Sequence, residues 1–129
     1  MIVLHPEVQQ NIIQEAVTAY PEVCTGFLYG QEEEGSRRIV THVLKHPSTI
    51  TSQDYEQAEN YAEKQQLELL GVYYSRPDHS ATPSVQDRSV AQPLLSYLII
   101  SVNNGKPGYM RSWRLNGGVF EEENNDLLV

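Results

Sequence analysis

The sequence predicts a single α/β domain, and three observations carry that reading. The chain has 129 residues, which suits one domain around one hydrophobic core. Two stretches of helical periodicity alternate with short apolar runs of strand length. The last third holds two strand-like runs joined by a turn rich in Asn and Gly.

In chain order, residues 6–20 read as the first helix, because Val8, Ile12, Ala16 and Ala19 share one face and Gln and Glu residues the other. Pro21 stops it, having no N–H to continue the ladder. Residues 24–29 are a short apolar run closed by Gly30, which predicts a buried strand. The acidic segment 31–36 reads as a turn. Residues 37–44 make a second strand, with Ile39, Val40 and Val43 as its apolar positions. After a loop over 46–52, Ser52, Gln53 and Asp54 offer caps for a second helix that runs to about residue 68. Its core face is expected to carry Tyr55, Ala58, Ala62 and Gln65. Residues 69–74 then read as a central strand, 75–83 as a loop, and 85 to about 94 as a short helix. Residues 96–102 and 109–115 form a hairpin about the turn at 103–108. The domain is expected to occupy residues 1–120, with 121–129 as an acidic, frayed tail.

Composition narrows the function classes. A net charge of −8 argues against nucleic-acid binding, which needs clustered Lys and Arg. The longest apolar run is too short to span a bilayer, and the first residues show neither a basic region nor a long apolar core, so neither a membrane nor a secreted location is expected. One cysteine, Cys24, allows no internal disulfide and suits a reducing cytoplasm. Its apolar neighbours predict a buried small hydrophobe rather than a reactive thiol. Glu121, Glu122, Glu123 and Asp126 read as a solvated tail or as a docking segment for a basic partner.

The run from Tyr74 to Asp87 carries the chemistry: Tyr74-Ser75-Arg76-Pro77, six residues, then Ser84-Val85-Gln86-Asp87. Taken alone, Ser84 and Asp87 match a capping box ahead of a helix, and His79 is a lone loop histidine. Taken together, the spacing resembles the zinc loop of the JAB/MPN (JAMM) metalloisopeptidase family, His-x-His-Pro, six residues, Ser-x-x-Asp. Upstream, Pro21-Glu22-Val23-Cys24-Thr25-Gly26-Phe27-Leu28-Tyr29-Gly30 resembles the family's Pro-x-Glu-x-Cys-Gly-x-Leu-x-Gly. The similarity continues through Ser96 to Val102 and Arg111 to Leu115, as in small bacterial members. The resemblance implies a curved mixed β-sheet flanked by helices, a layout shared with cytidine deaminases. The deaminase chemistry itself needs a Cys-x-x-Cys pair, which one cysteine excludes.

The departures bear on function. In the resemblance, the two zinc-binding histidines fall on Tyr74 and Arg76, and the general-base Glu falls on Val23, with Glu22 one place away and on the opposite strand face unless a bulge shifts it. Asp87 keeps a ligand position, and Ser84 keeps the position that stabilises the tetrahedral intermediate in active members. An unperturbed phenol titrates near ~10, so Tyr74 is a poor zinc ligand at neutral pH. Arg76 is a cation with no acceptor. It either pairs with Asp87, replacing the missing metal charge, or extends into solvent. These positions predict a catalytically inactive relative without a cofactor that binds a protein partner: the tail of a ubiquitin-like or sulfur-carrier protein, or another JAB/MPN domain. Tyr74 and Arg76 are the binding candidates, in a groove shared with Tyr73, with the tail added beside an exposed strand. The alternative is an active zinc metallopeptidase with shifted ligands drawn from Glu22, Asp78, His79 and Asp87.

Overall fold

The computed structural model describes residues 1–34, 37–47, 50–84, 91–92, 94–123 and 125–126. In order these form β1 (Ile2–Leu4), α1 (Pro6–Ala19), β2 (Thr25–Glu33), β3 (Arg37–His46), α2 (Ser52–Lys64), β4 (Glu68–Pro77), β5 (Ser96–Asn103), β6 (Lys106–Asn116), β7 (Val119–Glu123) and β8 (Asn125–Asp126). The strands make one mixed sheet in the order β7-β6-β5-β4-β2-β3-β1-β8, parallel at β4–β5, β1–β3 and β1–β8 and antiparallel elsewhere. The α/β class and curved mixed sheet expected from the sequence are therefore the observed ones.

The curvature has a direct cause. β7 and β8 lie at opposite ends of the sheet order yet are separated in sequence by one residue. One intervening residue leaves at most about 7 Å between the Cα atoms of residues 123 and 125, so the sheet must roll until its edges approach each other. Glu123 marks the seam: it accepts from Ser112 Oγ on β6 at 2.6 Å and lies 3.9 Å from the N-terminal amine before β1.

Each face of the sheet is covered by one helix. Val8, Ile12 and Ala16 of α1 pack with Leu28, Val40, Leu98, Ile100 and Val102. Ala58 and Ala62 of α2 pack with Phe27, Tyr29, Val72 and Tyr97 on the other face. Alternating side chains of the central strands thus serve two cores, which is why β5 reads as nearly continuously apolar.

Several expectations are corrected. β1 was not anticipated, because three residues form a strand only when β3 and β8 pair with them. β2 runs on to Glu33 through the segment read as a turn, since Arg37 and Arg38 on β3 lie opposite Glu33 and Glu32. The cap of α2 is Thr51, whose hydroxyl accepts from Asp54 N–H while Asp54 accepts from Thr51 N–H. Gln65 is exposed at the end of that helix. The 103–108 turn narrows to Asn104-Gly105 (φ 52° and 77°), and Gly117-Gly118 (61° and 83°) makes a second two-residue hairpin in place of fraying. Residues 121–123, placed in the tail by sequence, thereby belong to β7. Of the short helix expected over 85–94, residues 85–90 and 93 lie outside the described residues, and Ala91 and Gln92 are not helical.

Candidate functional site

β4 brings the motif to the end of the sheet. Its last residues alternate across the pleat, so Tyr74 and Arg76 project to one side and Tyr73 and Ser75 to the other. Ser75 is buried and locks β4 to the entry of β2: its N–H donates to Cys24 O at 3.0 Å, and its Oγ accepts from Cys24 N–H at 2.9 Å. This clamp sets Val23 beside the end of β4. Val23, Tyr74, Arg76, Pro77, His79 and Ser84 line one open cleft of about 270 Å³. The positions that the sequence singled out at a distance of some fifty residues therefore meet in space.

Arg76 answers the question of direction. Its Nη1 donates to the carbonyl oxygen of Thr82 at 2.6 Å, so the guanidinium turns back over the loop that follows β4 rather than extending into solvent. Asp87, and with it the expected Arg76–Asp87 pair, lies outside the described residues.

The loop over residues 78–82 is held at three further points. Asp78 adopts φ 58°, and its N–H donates to Val102 O at 2.7 Å. Its carboxylate accepts from the Tyr20 hydroxyl at 2.8 and 3.0 Å and from Asn104 N–H at 2.9 Å. The Asn104 N–H, followed by the Tyr20 hydroxyl, holds the Asp78 carboxyl below the ordinary aspartate range. Trp113 of β6 donates from Nε1 to Ala81 O at 3.0 Å, and Ser80 and Thr82 hydroxyls bond at 2.9 Å. The cleft is thus built on a fixed loop, and sequence alone signals neither Tyr20 nor Trp113 as its support.

Other candidates fall elsewhere. Glu22 is exposed and does not line the cleft, while Val23, at 55% exposure, does. Tyr73 is fully buried on the opposite face, where its hydroxyl donates to Glu15 at 2.6 Å, so it is no part of the groove. Burial, reinforced by that bond, raises the Tyr73 phenol above its ordinary value. Cys24 is buried, and desolvation raises its thiol too, in keeping with an inert hydrophobe. β5 pairs with β4 as far as Pro77, whereas β2 pairs with it only as far as Tyr74, beyond which the Ser75 N–H to Cys24 O bond continues the contact.

The fold agrees with the comparisons. Residues 5–116 match the family of prokaryotic homologs of the JAB domain. The chain belongs to the prokaryotic JAB domain family. Its structure is similar to the solution structure of a protein from Desulfitobacterium hafniense, with a TM-score of 0.80, 29% identity, and coverage of 98% of this chain and 92% of that one. A protein from Salinibacter ruber superposes with a TM-score of 0.75 at 30% identity, covering 95% and 88%. A JAB1/MPN domain protein from Archaeoglobus fulgidus shares the fold at a TM-score of 0.67 and 15% identity, covering 98% and 97%. No curated protein matches the sequence.

The JAB resemblance implies zinc, and the described residues at the matching positions, Val23, Tyr74 and Arg76, do not fit it. An isopropyl group has no lone pair, a guanidinium has no acceptor and repels a cation, and Arg76 is already engaged with Thr82. Among the described residues no three His, Cys, Asp or Glu side chains converge as metal ligands. Asp78, one of the shifted candidates, is turned to Tyr20 and Asn104. Among the described residues no helix is long and apolar enough to cross a membrane.

Proposed function

We propose that this JAB-family chain is a non-hydrolytic protein-binding module whose cleft receives the carboxylate-terminated tail of a ubiquitin-like or sulfur-carrier protein. The observation that carries the reading is the guanidinium of Arg76, anchored to Thr82 O inside a cleft where Val23 and Tyr74 supply an apolar and aromatic wall. A guanidinium has five N–H donors, and Thr82 accepts from one of them. The remainder suit the two oxygens of a terminal carboxylate. The fixed loop favours binding because little ordering is required when the tail arrives. Water activation has no support in Val23, which has no base to offer.

Two measurements test this. Elemental analysis and zinc titration of the purified chain should give no stoichiometric zinc; one tightly bound zinc per chain would establish the metallopeptidase reading instead. A peptide ending in a free carboxylate should bind, and either its amidation or Arg76→Gln should weaken it by about tenfold or more, the scale of a hydrogen bond to a charged group. Equal binding of the acid and the amide would overturn the assignment of Arg76. Val23→Glu, Tyr74→His and Arg76→His combined should create zinc affinity, since the scaffold places these three positions around one cleft.

A further inference from the structure

The outer side of β3 is covered for only part of its length. β1 pairs with residues 38–40, and the His5 N–H to Val40 O bond at 3.2 Å closes that contact. From residue 42 to 45, the described strands pair with β3 on its β2 side only, and Thr41 is the extra residue where the register shifts. His42, Leu44 and Lys45 are exposed there, Leu44 at 41%. An open strand edge presents main-chain donors and acceptors that another strand satisfies.

Clefts flank this edge on both faces of the sheet. Toward α2, a groove of about 170 Å³ is walled by Phe27, Tyr29, Leu44 and Tyr61. That equals several water volumes of about 30 Å³ each, room for an aliphatic side chain. Toward α1, Lys45 borders a polar cleft with Asn11, Gln14, Glu15 and Thr18. Neither cleft shares a lining residue with the Arg76 site.

We propose that residues 41–45 form a second docking surface, on which an extended acidic–apolar segment of a partner protein adds as a strand beside β3. Successive side chains of an added strand point to opposite faces. One set meets the aromatic groove and the other meets Lys45. Charge selects the partner. From Thr41 to Pro47 the sequence has no carboxylate and carries Lys45, in a chain of net charge −8, while His46 is paired with Asp54 at 3.3 Å at the rim of the aromatic groove. Lys45 forms no salt bridge among the described residues. A second copy pairing through the same edge brings no carboxylate of residues 41–47 to face Lys45, so charge does not favour self-pairing.

The test uses the full chain and a blocked eight-residue peptide alternating Glu with Leu, followed by amide NMR and titration at low salt. The expected result is saturable binding with amide perturbation and exchange protection at residues 41–45 and at Tyr61. Lys45→Glu, an exposed change that leaves the core intact, should weaken binding about three- to tenfold, and Leu44→Asp should also weaken it. Arg76→Gln should leave it unchanged, which separates this surface from the cleft. Absence of binding at millimolar peptide, equal binding of a Lys–Leu peptide, or protection of the edge through self-association of the chain would each overturn the proposal.

Discussion

Removing Arg38 should be among the most damaging single changes in this domain. Its side chain is 5% exposed and ties together three strands and the end of the loop that begins at the candidate site. Nη1 donates to Leu70 O at 2.9 Å, where β4 begins, and to Ser96 Oγ at 2.8 Å, where β5 begins. Nη2 donates to Leu94 O at 2.6 Å, and Nε to Glu32 at 3.1 Å. Arg38→Ala leaves two carbonyls and a buried hydroxyl without their donor, and an orphaned buried acceptor costs about 1–3 kcal/mol. Relief of the guanidinium's own desolvation offsets part of this, so the expected loss is about 3–5 kcal/mol, the range for breaking a buried charged network. Unfolding entropy scales with the 129-residue length, which turns that loss into a fall in Tm of about 11–18 °C. Arg38→Met keeps the stem volume but orphans the same acceptors, and should recover only a minor part. Glu32→Gln should cost under about 1 kcal/mol, because the Glu32 side chain is 38% exposed and an amide oxygen still accepts. Chemical denaturation with calorimetry measures all three. If Arg38→Ala lies within 1 kcal/mol of the parent, or Glu32→Gln matches it, the guanidinium is not the tie described.

Asp78 should titrate below an ordinary aspartate, observed through its side-chain carboxyl carbon by NMR, and Tyr20→Phe should move it back toward the ordinary value. Because the folded pKa is depressed, the Asp78 contacts stabilise the fold above the unfolded-state pKa of about 3.9 and lose that contribution as pH falls through the folded value. Acid unfolding should therefore be less steep in Asp78→Asn. Gly26→Ala should destabilise strongly, since an added Cβ would stand 2.3 Å from the buried Tyr73 ring; Gly26→Ala combined with Tyr73→Leu should recover stability relative to the sum of the two single changes.

Much of the fold could be read from local chemistry. Pro6, the apolar stripe at Val8, Ile12 and Ala16, and Pro21 delimit α1 because helix geometry depends on neighbours three and four residues away. The spacing of Pro77 and Ser84 after Tyr74 and Arg76 located the cleft, because a strand end and its following loop are contiguous in sequence. β1 and β8 were missed because they are short and exist through pairing with strands remote in the chain, whereas β7 follows β6 directly through the Gly117-Gly118 hairpin.

The sequence by itself determined the α/β class, the family, and the residue types that stand at the family's chemical positions. Tertiary structure alone decided that Val23 rather than Glu22 enters the cleft, because the Cys24–Ser75 clamp sets the strand phase. It alone decided that Arg76 turns onto Thr82, that Tyr73 leaves the groove for Glu15, and that the open strand edge lies on β3. Side-chain direction and edge exposure depend on which distant segments pack alongside, and no local pattern encodes that.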